Sequence, residues 1–156
     1  MKSYQDLVQD CLPQVKELMP WDLTNALISD NPPILLDIRE PYEYQTLHLN
    51  SSLNVPRGIL EAACDYGYED TVPELATARD KDIVVMCRSG NRSILAAYVM
   101  QLMGYQSVKS LKTGVKGWND YEQPLYNQQN ELVDTDTADD MLNIPVRPDQ
   151  LARKTS

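Results

Sequence analysis

The amino-acid sequence predicts an α/β fold of the doubly wound type, with a mainly parallel central sheet flanked by helices. Residues 34–38 and 83–86 are short apolar runs bounded by turn residues, as in strands buried on both faces of a parallel sheet. Residues 93–103 place apolar side chains at the spacing of a helix with one buried stripe. Strand and helix patterns therefore alternate along the chain, which indicates this fold class.

The first residues predict a helix ahead of the main domain. Apolar residues at positions 7, 8, 11, 12 and 15 follow a helical spacing, and Pro13 interrupts it. We expect this N-terminal helical extension, residues 1–14, to dock either on the domain or on a second subunit. Residues 15–18 then predict a strand, and residues 21–29 predict a short helix that ends before Pro32.

The rest of the domain contains two weaker strand candidates, residues 52–55 and 107–111. The second of them lies between Gly104 and Gly114. The chain has 156 residues, close to the roughly 150 of one domain, so we expect a single core. We assign the main domain to residues 15–127.

Residues 128–156 differ from the domain in composition. Five acidic residues and no basic residue fall between positions 131 and 140, and Pro145 and Pro148 follow. Because such a segment has few apolar groups to bury, we predict a mostly disordered acidic tail. A small docking patch formed by Met141, Leu142 and Ile144 is the alternative.

Charge and cysteine content exclude several classes of function. The net charge is −9 and no Lys/Arg cluster is present, so we expect no nucleic-acid or membrane partner. No segment approaches the roughly 20 apolar residues of a membrane-spanning helix, and residues 1–14 lack the apolar run of a signal peptide. Three cysteines are too few for a disulfide framework and suit a reducing compartment. We predict a cytoplasmic location and leave the oligomeric state open.

The segment 87–93, with the sequence CRSGNRS, joins a predicted strand to a predicted helix at the carboxyl edge of the sheet, where α/β folds bind ligands. The helix N-terminus and the adjacent Arg88 and Arg92 favour the thiolate form of Cys87. Gly90 permits a positive φ, so that successive N–H groups can turn inward as an anion-binding nest around the sulfur. We therefore expect a reactive Cys87, and we interpret the other two cysteines, Cys11 and Cys64, as small buried apolar residues.

This segment resembles the active-site loop of the rhodanese homology family, which consists of a Cys, four residues and an Arg. Residues 36–44, 48–56 and 111–118 are similar to three further motifs of that family, and the resemblance extends across about residues 15–126. Two positions depart from the family pattern, since Asn50 stands where Gly is usual and Thr113 replaces the first of two glycines. Asn tolerates a left-handed backbone and Thr does so poorly, so we expect Thr113 to alter its loop.

The resemblance implies a sulfurtransferase with a rhodanese-like fold. It would move sulfur from a small-molecule donor such as thiosulfate, through a persulfide on Cys87, to a thiol, cyanide or a protein acceptor. No cofactor is implied. The implied substrate-binding residues are those of the loop, namely Arg88, Ser89, Gly90, Asn91, Arg92 and Ser93.

Three further residues are supporting candidates and one extends the binding site. Asp37 and Arg39 follow the central strand, and we interpret them as an ion pair that braces the neighbouring loops, with a contact to the sulfur donor as the alternative. The family places His48 in a supporting position. Arg57 follows a strand at the same sheet edge as Cys87, so it is a candidate for attracting an anionic donor, although a plain surface arginine is the alternative. One His and three dispersed Cys predict no metal site.

Three other functions are compatible with the sequence of this loop. Cysteine phosphatases and arsenate reductases also hold a thiolate in a strand-to-helix loop closed by Arg, but with five intervening residues. The four residues between Cys87 and Arg92 form a shorter cradle that suits one sulfur better than a tetrahedral oxyanion. A protease-like dyad of Cys87 and His48 is a weaker alternative. A non-enzymatic binding module that uses the same fold is the last one.

Overall fold

The computed structural model describes residues 1–153, and their architecture is the predicted α/β fold. The strands are β1 (Lys16–Leu18), β2 (Ile34–Asp37), β3 (Leu53–Asn54), β4 (Asp82–Met86), β5 (Ser107–Leu111), β6 (Leu125–Tyr126) and β7 (Leu132–Val133). Five of them form a parallel sheet in the order β1-β5-β4-β2-β3, and β6 pairs with β7 as a separate antiparallel ribbon. The strand candidates of the sequence are therefore all confirmed.

In the described part of the chain, eight helices accompany the strands, and the second to the sixth of them lie in the crossovers between successive parallel strands. They are α1 (Tyr4–Cys11), α2 (Pro20–Leu27), α3 (Pro41–Thr46), α4 (Leu60–Ala63), α5 (Pro73–Ala76), α6 (Arg92–Leu102), α7 (Gly114–Asp120) and α8 (Thr135–Leu142). Single 3₁₀ turns occur at Leu12–Gln14, Arg57–Ile59 and Pro148–Gln150. Within residues 1–153, no helix has the length and apolarity to cross a membrane.

The core lies on both faces of the sheet. In strand β4, Ile83 and Val85 belong to one buried apolar cluster, the first-face cluster. Val84 and Met86 belong to another on the opposite face, the second-face cluster. Side chains alternate across a strand, so a continuous apolar run supplies both faces at once. Helices α1, α4, α5 and α6 cover the first face, and α2, α7 and α8 cover the second.

Helix α1 packs on the domain itself. It begins with a reciprocal capping box, in which Ser3 accepts from the N–H of Asp6 and the Asp6 carboxylate accepts from the N–H of Ser3. Val8 is buried against the first-face cluster, and α1 contacts α6. The helix ends at Cys11, and the turn that contains Pro13 leads the chain into β1.

The predicted disordered tail is wrong for residues 131–142. Strand β7 pairs with β6, and α8 packs on α7 with Ala138 and Leu142 buried in the second-face cluster. Asp134 caps α8 by accepting from the N–H of Thr137 at 3.1 Å. The prediction was wrong because it used the average composition of the segment, which ignores the order of its residues. Ala138 and Leu142 are four positions apart, so a helix places both on one face.

The alternative docking patch is only partly present. Leu142 is buried, whereas Met141 and Ile144 remain exposed. Residues 154–156 of the predicted tail lie outside the described residues.

Candidate active site

Cys87 follows β4 directly and lies at the start of the loop that leads into α6, as predicted. Its side chain is buried, with 1% of the residue exposed. The backbone N–H groups of Gly90 and Ser93 point at Sγ with N–S distances of 3.2 and 3.4 Å. Gly90 has a φ of 95°, which L side chains rarely adopt, and this turn directs its N–H inward. The loop therefore holds the sulfur in a nest of N–H donors that can stabilise negative charge.

A buried chain of hydroxyl groups adds to this nest. Sγ of Cys87 lies 3.4 Å from Oγ of Ser93, and Oγ of Ser93 lies 2.7 Å from Oγ of Ser110 on the neighbouring strand β5. Both serines are fully buried. The hydroxyl of Ser93 can accept from the thiol or donate to the thiolate, and Ser110 can complete either arrangement. Sequence reasoning missed Ser110, because only the pairing of β4 with β5 brings it close.

The outer side of the loop is fixed by the N-terminus of α7. The N–H groups of Val115 and Lys116 donate to the carbonyl oxygens of Cys87 and Arg88, each at 2.9 Å. These bonds use N–H groups that a helix N-terminus leaves unpaired. A Cβ on Gly114 would overlap both carbonyl oxygens, so this position requires glycine. The carbonyl groups therefore point away from the sulfur while the N–H groups of the loop point toward it.

Arg92 does not reach the sulfur as a free charge. Its guanidinium forms a bidentate ion pair with the carboxylate of Glu43 on α3, with N–O distances of 2.9 and 3.0 Å. Burial acts to raise the pKa of Glu43, but the hydrogen bonds from Arg92 and from the Glu40 N–H outweigh it, so the pKa is lowered. The same pair raises the pKa of Arg92. Sequence reasoning placed Glu43 within a family-like motif but assigned it no role.

A cavity of about 340 Å³ opens above the sulfur. From the loop it is lined by Cys87, Arg88, Ser89, Asn91 and Arg92. The wall opposite is formed by Glu40, Tyr42 and Glu43 around α3, and by Tyr4 at the start of α1. No sequence signal identified Tyr4, because its place depends on how α1 packs against α6. The arrangement is that of a buried nucleophile at the floor of a pocket with a polar rim.

A family model described as a rhodanese-like domain matches residues 21–121. The chain belongs to the rhodanese-like domain family. The matched residues include the loop that follows Cys87 and its nest of N–H donors.

This chain is similar in sequence to several other proteins, and two of them are much longer than it is. A mitochondrial protein of Schizosaccharomyces pombe that carries the name thiosulfate sulfurtransferase is 27% identical over 64% of this chain and 72% of its own length. An adenylyltransferase and sulfurtransferase of Candida albicans is 33% identical over 65% of this chain, which spans only 23% of that protein. A tRNA uridine(34) hydroxylase of Pectobacterium carotovorum is 30% identical over 65% of this chain and 27% of its own length.

Solved structures share the fold. A Rhodopseudomonas palustris protein of unknown function, described as a possible tyrosine phosphatase, superposes with a TM-score of 0.70 at 27% identity, covering 80% of this chain and 94% of that one. A thiosulfate sulfurtransferase of Pseudomonas aeruginosa superposes with a TM-score of 0.60 at 23% identity, covering 87% of this chain and 25% of that one. The second likeness shows the fold alone.

In this rhodanese-like domain, Asp37 and Arg39 form the predicted ion pair. Both are buried, and the guanidinium donates to both carboxylate oxygens at 2.8 to 3.1 Å. Arg39 also donates to the carbonyl oxygen of Leu47 at 2.5 Å, which ties the chain after α3 to the end of β2. Neither residue lines the cavity above Cys87. The geometry supports bracing and gives no contact to a donor in that cavity.

His48 and Arg57 are not part of the cavity formed by the described residues. His48 places Nδ1 2.8 Å from the carbonyl oxygen of Tyr44 and stacks on the ring of that residue. Arg57 pairs with Glu61 at 2.7 Å on the surface. These contacts support a structural role for His48 and the surface-arginine alternative for Arg57, and they give no dyad between Cys87 and His48.

The two departures from the family pattern are accommodated locally. Thr113 adopts the left-handed conformation with a φ of 68°, which is the backbone conformation that a glycine at this position would favour. Its side chain fits because residue 117 is glycine, where a Cβ would overlap the threonine. In the other motif Ser51, with a φ of 62°, takes the left-handed position, whereas Asn50 is not among the residues with positive φ.

The other two cysteines are remote from the cavity. Cys64 is buried in the first-face cluster, and burial raises the pKa of its thiol. Cys11 is half-buried at the end of α1. Among the described residues, Cys87 is therefore the one thiol that lines the cavity.

A groove of about 350 Å³ adjoins the cavity. Tyr42, Glu43 and Arg88 line both spaces, and the far wall of the groove is formed by Met141 and Leu142 at the end of α8 and by Ile144 just after it. The acidic segment that sequence composition assigned to a disordered tail thus borders the candidate active site.

Proposed function

We propose that this rhodanese-like protein is a sulfurtransferase that carries sulfur as a persulfide on Cys87. The observation that carries the proposal is the position of Sγ, which is buried at the floor of a cavity and receives two backbone N–H groups. Such donors stabilise an anionic sulfur with little reorganisation, because they are already oriented. The sulfurtransferase names of the similar Schizosaccharomyces pombe and Candida albicans proteins support the same reaction class.

In the proposed first half-reaction, the Cys87 thiolate attacks the outer sulfur of a donor such as thiosulfate. A bond forms between Sγ and that sulfur, and the bond between the two sulfurs of thiosulfate breaks. The electron pair of the broken bond leaves with sulfite, so the enzyme retains an anionic persulfide. The inward N–H groups of Gly90 and Ser93 are placed to stabilise this anion.

In the second half-reaction, a nucleophile attacks the terminal sulfur of the persulfide. With cyanide the products are thiocyanate and the Cys87 thiolate, so no proton, electron or cofactor has to be supplied. A small thiol or a protein thiol is the alternative acceptor.

A cysteine phosphatase is the second candidate, because the similar Rhodopseudomonas palustris structure is described as a possible tyrosine phosphatase. Two observations favour sulfur transfer. The ring of four residues between Cys87 and Arg92 already brings N–H groups onto Sγ, and the Arg92 guanidinium is engaged by Glu43. A phosphoryl group would need both the space and the guanidinium for near-attack geometry.

The experiment is intact-mass analysis after incubation with thiosulfate, before and after a reductant. We expect the wild-type protein to gain one sulfur atom that reductant or cyanide removes, and Cys87→Ser to gain none. Cys64→Ser is the matched control, because Cys64 is also buried but lies outside the cavity. Loading that survives in Cys87→Ser, or Cys87-dependent aryl phosphate hydrolysis that outpaces sulfur transfer, would overturn the proposal.

A further inference from the structure

The rim of the cavity contains a side chain from outside the segment that matches the family model. The match begins at residue 21, whereas Tyr4 is the first residue of α1 and lines the same cavity as Cys87 and Arg88. We infer that Tyr4 is a specificity-determining residue, whose hydroxyl donates a hydrogen bond to the oxyanion of the sulfur donor. This inference rests on the proposed sulfurtransferase function.

Tyr4 is held firmly enough to serve this role. The capping box of Ser3 and Asp6 fixes the start of α1 at Tyr4. One turn later, Val8 is buried with 4% of its surface exposed, in the cluster that also contains residues of α6. Helix α6 begins directly after the Cys87 loop, so packing of α1 on α6 sets the position of Tyr4 relative to the sulfur.

The floor and the rim of the cavity match the two ends of a donor such as thiosulfate. Cys87 is buried at the floor, whereas Tyr4, Arg88 and Ser89 are exposed at the rim. When the outer sulfur of thiosulfate meets Sγ, the three oxygens at the other end of the molecule point toward that rim. The groups at the rim therefore decide which leaving group the cavity accepts.

Hydrogen-bond donors for those oxygens come from both walls of the cavity, and the side chains of Ser89, Asn91 and Tyr42 are among them. Arg92 is occupied by Glu43, and the exposed carboxylate of Glu40 on the same wall repels an anion. Arg88 forms no salt bridge with the described residues and supplies one cation. The Tyr4 hydroxyl, which makes no hydrogen bond within residues 1–153, supplies a neutral donor beside it.

The electrostatic setting of the phenol agrees with this position. Burial raises the pKa of Tyr4, the charge of Cys87 raises it further, and Arg92 and Arg88 act in the opposite direction. The phenol lines the same cavity as the sulfur and both loop arginines. It stays protonated at neutral pH and can donate.

The test separates the two half-reactions of the wild-type protein and of Tyr4→Phe, which keeps the aromatic ring and removes the hydroxyl. We expect kcat/KM for thiosulfate to fall about tenfold, as for loss of one hydrogen bond to a charged group. In the same assays kcat/KM for cyanide should stay within about twofold, because cyanide meets a persulfide that has already lost the oxyanion. A persulfide of a small alkyl thiol, used as donor, should load both proteins equally. Tyr68→Phe is the control, because Tyr68 is exposed and outside the cavity.

The outcomes distinguish this inference from the proposed function. Equal loss with thiosulfate and with the alkyl persulfide would show that Tyr4 only supports the fold, and unchanged kcat/KM for thiosulfate would remove its role altogether. Loading of the wild-type protein by the persulfide but not by thiosulfate would also overturn the inference, while leaving sulfur transfer intact. Failure of the wild-type protein to acquire sulfur from either donor would overturn the proposed function itself.

Discussion

The guanidinium of Arg92 binds both carboxylate oxygens of Glu43, although 49 positions separate the two residues in the chain. The pair joins the first turn of α6 to α3, and so it links the Cys87 loop to the opposite wall of the cavity. A two-point contact of this kind restricts the orientation of both planar groups. The loop arginine is therefore a structural clamp on the cavity, and Arg88 is the loop arginine that remains available at the rim.

This pair predicts a pH-dependent contribution to stability. The folded-state pKa of Glu43 is lowered below 4.5, so its contribution is fully present above that value and is lost as pH falls through the folded pKa. We expect Glu43→Gln to lower the free energy of unfolding by about 1 kcal/mol at pH 7 and by progressively less below pH 4. Urea unfolding of both proteins across this range measures the difference.

The exposed pair of Arg57 and Glu61 supplies the control for this measurement. Glu61→Gln should change the free energy of unfolding by less than about 0.5 kcal/mol at every pH, because exposed pairs contribute little. If Glu43→Gln were equally destabilising at pH 7 and at pH 3, the lost stability would come from packing and not from the charge of the carboxylate.

Helix α8 provides a direct test of whether the acidic segment belongs to the fold. Leu142 is 5% exposed in the second-face cluster, whereas its neighbour Met141 is 43% exposed. We expect Leu142→Ala to lower the free energy of unfolding by about 2 kcal/mol or more, and Met141→Ala to lower it by less than about 0.5 kcal/mol. Chemical denaturation of the two variants is the measurement, and equal effects would show that α8 does not dock as described.

Thr113 and Gly117 form a second testable pair. The left-handed backbone of Thr113 is unfavourable for a β-branched residue, so Thr113→Gly should stabilise the protein by about 1 kcal/mol. Gly117→Ala should destabilise it, because the new Cβ would overlap the threonine side chain. In the Thr113→Gly background the same substitution should cost much less, since the three atoms nearest to that Cβ all belong to the Thr113 side chain. Additive effects in the double-mutant cycle would contradict the described contact.

The hydroxyl chain from Ser110 through Ser93 to Cys87 predicts a non-additive effect on sulfur loading. Ser93→Ala removes the hydroxyl beside Sγ, so we expect the rate of persulfide formation to fall about tenfold. Ser110→Ala should have a smaller effect, and the double variant should match Ser93→Ala, because Ser110 acts through Ser93. Single-turnover loading with thiosulfate measures the rates.

Ser107→Ala is the control for this series, because Ser107 lies on the same strand as Ser110 but pairs with Asp82 away from the sulfur. A loading rate for Ser110→Ala that equals the wild-type rate would remove Ser110 from the site.

Local sequence determined the sheet and the central loop. The apolar runs at 34–38 and 83–86 predict buried strands because both faces of such a strand must be apolar, and this property is written within a few consecutive residues. The nest likewise depends on neighbouring positions, since Gly90 and Ser93 direct their N–H groups at a sulfur only a few residues away. Chain connectivity keeps these groups close to the sulfur, and the N-terminus of α7 then fixes the outer side of the loop.

Tertiary structure decided which distant residues share the cavity. Arg92 could have faced the thiolate or a carboxylate, and only the tertiary fold brings Glu43 of α3 to within 2.9 Å of it. Tyr4 reaches the rim because Val8 anchors α1, and α8 folds because the second sheet face supplies an apolar surface for Ala138 and Leu142. Contacts between distant segments depend on the whole fold, because folding determines which residues come within reach of each side chain. No local sequence pattern specifies these pairs.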